Sequence, residues 1–168
     1  MQIPGTPDRL LEALLESWDR NNTITLNLLG VIPEGGLDVR ATPTSSTVAQ
    51  QFGHIHHERL ISVFEEAPEF SRGVPDEEWS AERDRGRLAE MLTASAHAVR
   101  DAVRGRVREG RDLDLNYGHP ALMLQLLLWH EGYHHGQIKL ALKIAGLPIS
   151  DDDAGPLTWD VWRRRQQA

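Results

Sequence analysis

The stretch HPALMLQLLLWHEGYHHGQIKLALKIAG, residues 119–146, decides how this chain is read. It is the most apolar segment of the sequence, with Pro120 at its start, Gly146 at its end and Pro148 just beyond. Proline suits the first helical position, glycine suits the residue past the last turn, and a further proline blocks continuation. One long helix ending at Ala145 is the expectation. An α-helix turns about 100° per residue, which places Leu126, His130, His134, Gln137, Ala141 and Ile144 in one arc of roughly 80°. Glu131, His135, Lys139 and Lys143 cluster on the other side and read as a wet face.

His130 and His134 therefore interrupt an apolar stripe. A buried imidazole needs partners for both ring nitrogens. Two of them at i and i+4 pack poorly but make a good bidentate metal clamp, each neutral ring offering one lone pair. Gln137 shares the arc and reads as a group that orients a ligand. His130-Glu131-Gly132-Tyr133-His134 also matches the H-E-x-x-H pattern of zinc peptidases. The extended form of that pattern wants glycine three residues after the second histidine and histidine six after it, where this chain has Gln137 and Leu140. Glu131 reads as solvated rather than as a general base, and no strand offers a peptide a sheet edge. A peptidase is thus the least favoured of three readings.

The rest of the chain is helical in pattern. Thr6 and Pro7 open a first helix whose stripe is Leu11, Leu14, Leu15, Trp18, Thr25, Leu28, Leu29 and Ile32, ended by Pro33-Glu34-Gly35-Gly36. Residues 37–45 form a loop. Ser45 or Ser46 caps a second helix carrying Val48, Phe52, Ile55, Leu60, Val63, Phe64 and Ala67. A polar linker follows, then a third helix from about Ser80 to Glu109, closed by Gly110. Asp151-Asp152-Asp153 reads as an exposed acidic loop, and residues 157–166 as a short last helix. The sequence-level fold is all-α: a single domain over residues 1–168 holding a four-helix bundle and a short C-terminal helix.

Composition narrows the function. The 168 residues include no cysteine, so any metal is held by histidine and carboxylate. The net charge is −7 and the basic residues are interspersed, which excludes a phosphate-tracking surface and nucleic acid as partner. The one basic run, Arg163-Arg164-Arg165, reads as a solvated helix end. No signal peptide and no membrane span are expected, and the cytoplasm is the default location.

A metal needs a third ligand, and FGHIHHER, residues 52–59, supplies His54, His56 and His57. Periodicity points to His56, which shares a side with Ala49, Phe52, Leu60 and Val63. With Phe52-Gly53-His54-Ile55 early in helix two and His130, His134 and Gly136-Gln137 late in helix four, the chain resembles the DinB/YfiT-like proteins. That resemblance implies an up-up-down-down four-helix bundle and a divalent metal on one histidine of helix two and two of helix four. Carried onto this sequence the ligands are His54, His130 and His134, with His56 the alternative for the first. His57 and His135 read as surface residues, and His97 and His119 receive no role.

The resemblance also implies a metal-dependent enzyme of the thiol-S-transferase or hydrolase type. It would act on a small-molecule substrate with a low-molecular-weight thiol as cosubstrate. Zinc or nickel is the first expectation for the ion, with iron and manganese compatible. Trp18, Asn22 and Thr25 are candidates to line the pocket, and Arg59 to bind an anionic group. The contrasting reading is a non-catalytic, stress-related metal-binding bundle, and a homodimer is expected on either.

Overall fold

The computed structural model describes residues 6–163, with side chains from residue 9 onward. Six α-helices follow in order: α1 Thr6–Gly30, α2 Val48–Glu66, α3 Arg85–Glu109, α4 Pro120–Ile144, α5 Asp151–Leu157 and α6 Trp159–Arg163. The described residues contain no strand; Arg40 and Thr47 form an isolated antiparallel bridge. No described helix is long and apolar enough to cross a membrane.

Local chemistry sets most boundaries. The α2 cap is Thr47 rather than Ser45 or Ser46: its hydroxyl accepts from Gln50 N, and the Gln50 side chain accepts from Thr47 N, a reciprocal capping box. α3 begins five residues later than expected, because Asp84 accepts from Arg87 N as the cap and residues 80–84 carry no regular secondary structure. Gly110 closes α3 at φ 63, a conformation that favours glycine. His119 caps α4 through Nδ1, which accepts from Ala121 N. The acidic run is no loop: Ser150 caps it, and Asp151, Asp152 and Asp153 form the first turn of α5, where negative side chains face the positive helix end. The expected Thr6 cap and Arg164-Arg165 lie outside the described side chains.

Two apolar clusters stack along the four long helices. One holds Leu15, Trp18, Val63, Val99, Val103 and Leu124; the other holds Leu29, Phe52, Ile55, Leu88, Leu92 and Ile138. Phe64, expected in the core, is 53% exposed. The first cluster gathers the early part of α1 and α4 with the late part of α2 and α3. Helices α1 and α4 therefore run one way and α2 and α3 the other. This is an up-down-down-up order and corrects the up-up-down-down expectation. The reason lies in the connections. Residues 67–84 return along the length of α2, about 28 Å for its 19 residues, and so make α3 parallel to α2.

Between the two clusters lies a layer of buried polar groups. Asn21 and Thr25 come from α1, Arg59 from α2, Ser95 from α3, and Glu131 from α4. Arg59 donates through Nε to Glu131 Oε1 and through Nη2 to Glu131 Oε2, both at 2.7 Å. Its Nη1 donates to Asn22 Oδ1 and to Leu92 O. Asn21 adds a 2.7 Å bond to Glu131 Oε2. One satisfied ion pair thereby fixes the register of all four long helices, which positions the histidines of α2 and α4.

Candidate metal centre

One turn of α2 from Gln51 to His56 is wholly buried against α3 and α4. Its His54 reaches α4 where His130 and His134 project from successive turns. His54 Nε2 lies 3.2 Å from His130 Nε2, and His130 Nε2 lies 3.1 Å from His134 Nε2. All three donor atoms fall within 4.8 Å of one another. Two nitrogens each about 2.1 Å from one ion stand about 3.0 Å apart at an octahedral angle and about 3.4 Å at a tetrahedral one. The observed spacings sit between these values, so the donor set fits a single divalent ion.

Two of the three outward nitrogens lie near an acceptor oxygen. Gln51 Oε1 lies 3.4 Å from His134 Nδ1, which favours the hydrogen there and the lone pair on Nε2. Glu78 Oε1 lies 3.0 Å from His54 Nδ1. The Trp79 ring stacks on His54 with centroids 4.0 Å apart and planes inclined by 4°. Burial, and then the neighbouring His130, hold His54 down at about 4; the same two causes, with smaller effects of His54 and His135, hold His134 at about 4. Both rings are neutral at pH 7 and available as ligands.

The three imidazoles stand at one side of a cavity of about 590 Å³. Its other walls are Trp79 from the α2–α3 connection, Trp129, Tyr133, Gln137 and Leu140 from α4, and Ser45, Ser46 and Gln51. Three aromatic rings and a leucine share these walls with amide and hydroxyl groups, a mixture that suits a small molecule.

Several expectations are revised. His56 turns away from α4: its Nδ1 meets Met91 O at 2.8 Å, on the α3 side. His57 is half-buried, not a surface residue. His135 also faces inward, with Nε2 2.9 Å from Thr25 Oγ1, and burial lowers it to about 4. Glu131 is not solvated but fully buried, and Arg59 engages both of its oxygens. A carboxylate held in that way cannot serve as the base of an H-E-x-x-H peptidase, and that reading is withdrawn. Arg59 is 0% exposed and cannot bind an external anion. Trp18 and Thr25 are fully buried and, like Asn22, lie away from the cavity walls. Trp18 donates to Ala96 O, and the Arg59 guanidinium stands 4.9 Å from its ring centroid.

The buried face of α4 is turned away from the centre of the arc of Leu126, His130, His134, Gln137, Ala141 and Ile144 that the apolar pattern predicts. That face is Met123, Leu124, Leu127, Glu131, His134, Ile138, Ala141 and Leu142, centred near Leu127 and Ile138, with His134 to one side and Glu131 to the other. Gln51, Glu78 and Trp79 were missed. Gln51 is three residues before His54, one turn back on the same face, and so was within reach of the sequence. A lone tryptophan in a polar linker was a signal for Trp79; nothing marked Glu78.

Comparison with curated proteins and with solved structures finds no match in either. A family model does match, over residues 17–138, a span that runs from α1 into the late part of α4 and contains all three converging histidines. By that match the chain belongs to the DinB superfamily.

Proposed function

We propose that His54, His130 and His134 hold one divalent metal ion, and that the chain is a metal-dependent enzyme of the thiol-S-transferase or hydrolase type. The observation that carries this is the convergence of three Nε2 atoms at 3.1 and 3.2 Å beside an open, aromatic-walled cavity. When bound, such an ion acts as a Lewis acid and favours the deprotonated form of a coordinated water or thiol. The remaining chemistry belongs to the chain. Gln51 orients His134, the Trp79 ring packs on His54, and Trp129 and Tyr133 offer faces for a flat or apolar substrate. Gln137 lines the cavity beside His134 and, on this reading, orients a ligand or a bound water. Zinc or nickel suits an all-imidazole set, and iron or manganese is compatible.

The non-catalytic reading, a stress-related metal-binding bundle, requires an ion wrapped by protein. The cavity at the donor atoms supports the enzymatic reading instead. A homodimer is supported by a row of exposed apolar side chains along α4, including Leu122, Leu126, Trp129, Tyr133, Leu140 and Ile144. Its check is sedimentation equilibrium of the wild-type chain. The acidic composition supports a small-molecule substrate over nucleic acid, and the cytoplasm stays our assignment of location.

The deciding experiment is elemental analysis of purified protein, followed by a screen for S-conjugation and for hydrolysis with several small thiols and electrophiles. About one metal per chain, with turnover that is lost on chelation and restored by the ion, is the expected result. Metal without turnover leaves the non-catalytic bundle, and a chain that takes up no divalent ion refutes both.

A further inference from the structure

We infer that Glu78 is a positioning residue for His54, and that residues 78–80 form a strap holding this imidazole with Nε2 turned toward His130. The strap belongs to the connection between α2 and α3 and lies against the first turns of α2. Four contacts fasten it. Glu78 Oε1 stands 3.0 Å from His54 Nδ1. The Trp79 ring covers one face of the His54 ring at 4.0 Å, nearly parallel. Ser80 sits so close to Gly53 that a Cβ at position 53 would fall 2.9 Å from Ser80 O, so glycine is what lets the strap down onto the helix. A fourth contact, from Gln50 Nε2 to Trp79 O at 3.3 Å, ties the strap to the α2 capping box.

The chemistry follows from the two nitrogens. A neutral imidazole carries one N–H, and its tautomer is set by whichever nitrogen has an acceptor. A carboxylate beside Nδ1 draws the hydrogen there and leaves the lone pair on Nε2, the atom that faces His130. His54 Nδ1 is buried and lacks an aligned hydrogen-bond partner, because the Glu78 oxygen lies close but off the N–H direction. The Glu78 side chain is 45% exposed, so solvent rather than packing borders its carboxylate. On the opposite ligand Gln51 takes the same part toward His134 Nδ1. The two outer ligands are thus oriented from different sources, one from within α2 and one from a loop. Glu58 also approaches the Glu78–His54 pair, which raises a second possible outcome, a cation held by these three groups.

The inference rests on the metal reading for its consequence but not for its geometry, and the test separates the two. Nitrogen-15 correlation spectra of the metal-free protein at pH 7.5 report which nitrogen of His54 carries hydrogen. The Nδ1–H form is expected in wild type, a mixture or the Nε2–H form in Glu78→Ala, and substantial return to Nδ1–H in Glu78→Gln, whose amide oxygen still accepts. Zinc affinity, read by competition with a chromophoric chelator, is expected to fall about 10- to 100-fold in Glu78→Ala and less in Glu78→Gln. An unchanged His54 tautomer in a folded Glu78→Ala protein overturns the role of Glu78, whether or not zinc binds. If Glu78→Ala does not fold, the tautomer in Glu78→Met decides, since a side chain of similar length with no oxygen acceptor that leaves Nδ1–H undisturbed also overturns it. Wild type that binds no zinc overturns the metal reading alone. A zinc ion retained in His130→Ala but lost in Glu78→Gln overturns the positioning role in favour of a carboxylate-held cation.

Discussion

Arg59 of α2 and Glu131 of α4 meet through two parallel hydrogen bonds of 2.7 Å, in a layer where neither side chain is more than 1% exposed. Glu131 follows His130 directly, and Arg59 lies five residues after His54. The pair therefore holds together the two helices that supply all three imidazoles. Asn21, Asn22 and Leu92 O complete the hydrogen bonding, so the charges are buried with partners on every side.

Removing one member leaves the other charged and buried, which costs about 3–5 kcal/mol. Glu131→Ala is expected to lose stability of that order in urea denaturation at pH 7.5. An Arg59→Met/Glu131→Leu double variant is expected to lose much less, because no orphan charge remains. A Glu131→Ala protein within about 1 kcal/mol of wild type, well below the usual cost of such a deletion, would contradict the part given to this pair.

Metal content separates the histidines. His54→Ala, His130→Ala and His134→Ala are each expected to drop bound zinc well below one per chain after dialysis against a weak chelator. His56→Ala is expected to keep it, since that ring bonds Met91 O on the far side of α2. Elemental analysis of the four variants side by side is the check. Full loading in His54→Ala with loss in His56→Ala would reverse the assignment.

Acid stability follows from the same rings. Burial holds His54, His134 and His135 at about 4, while an unfolded chain returns them to the ordinary value of 6.5. Between pH 6.5 and 4 the unfolded state therefore binds protons that the folded state does not. These groups leave stability unaffected above pH 6.5 and erode it progressively as pH falls toward 4, where the dependence levels off. The urea midpoint of metal-free protein should fall across this window. A His54→Gln/His134→Gln variant should show a shallower fall, and identical slopes would contradict the burial of the two rings.

Two helical glycines are expected to respond oppositely to alanine. Gly132 has nothing within 4 Å of a Cβ, so Gly132→Ala should stabilise by about 0.5–1 kcal/mol through backbone entropy. A Cβ at Gly105 would run into the Phe70 ring. Overpacking of this kind costs about 1–3 kcal/mol and outweighs the propensity gain, so Gly105→Ala should destabilise. Thermal melts of the two variants test the signs.

The sequence by itself determined the helices and several of their ends. Gly110, His119-Pro120 and Gly146 act through the conformations and hydrogen bonds of their own neighbours, and such signals survive without a tertiary structure. It also determined which histidines were candidates, since the i, i+4 pair and the FGHIHH stretch are local patterns. The choice between His54 and His56 was different in kind: periodicity favours the centre of an apolar stripe, whereas the rings that converge here sit at the edge of one.

Only the tertiary structure decided which face of α4 is inside. Apolar residues occupy much of that helix, with Trp129, Tyr133, Leu140 and Ile144 left exposed, so the wheel had no sharp polar side from which to find its centre. It also decided the directions of the helices, which depend on the paths of the connections, and the burial of Glu131. A charged side chain reads as solvated until its partner is known. Here the partner is 72 residues away, and the attraction between opposite charges, with the hydrogen bonds around them, exists only once α2 and α4 are side by side.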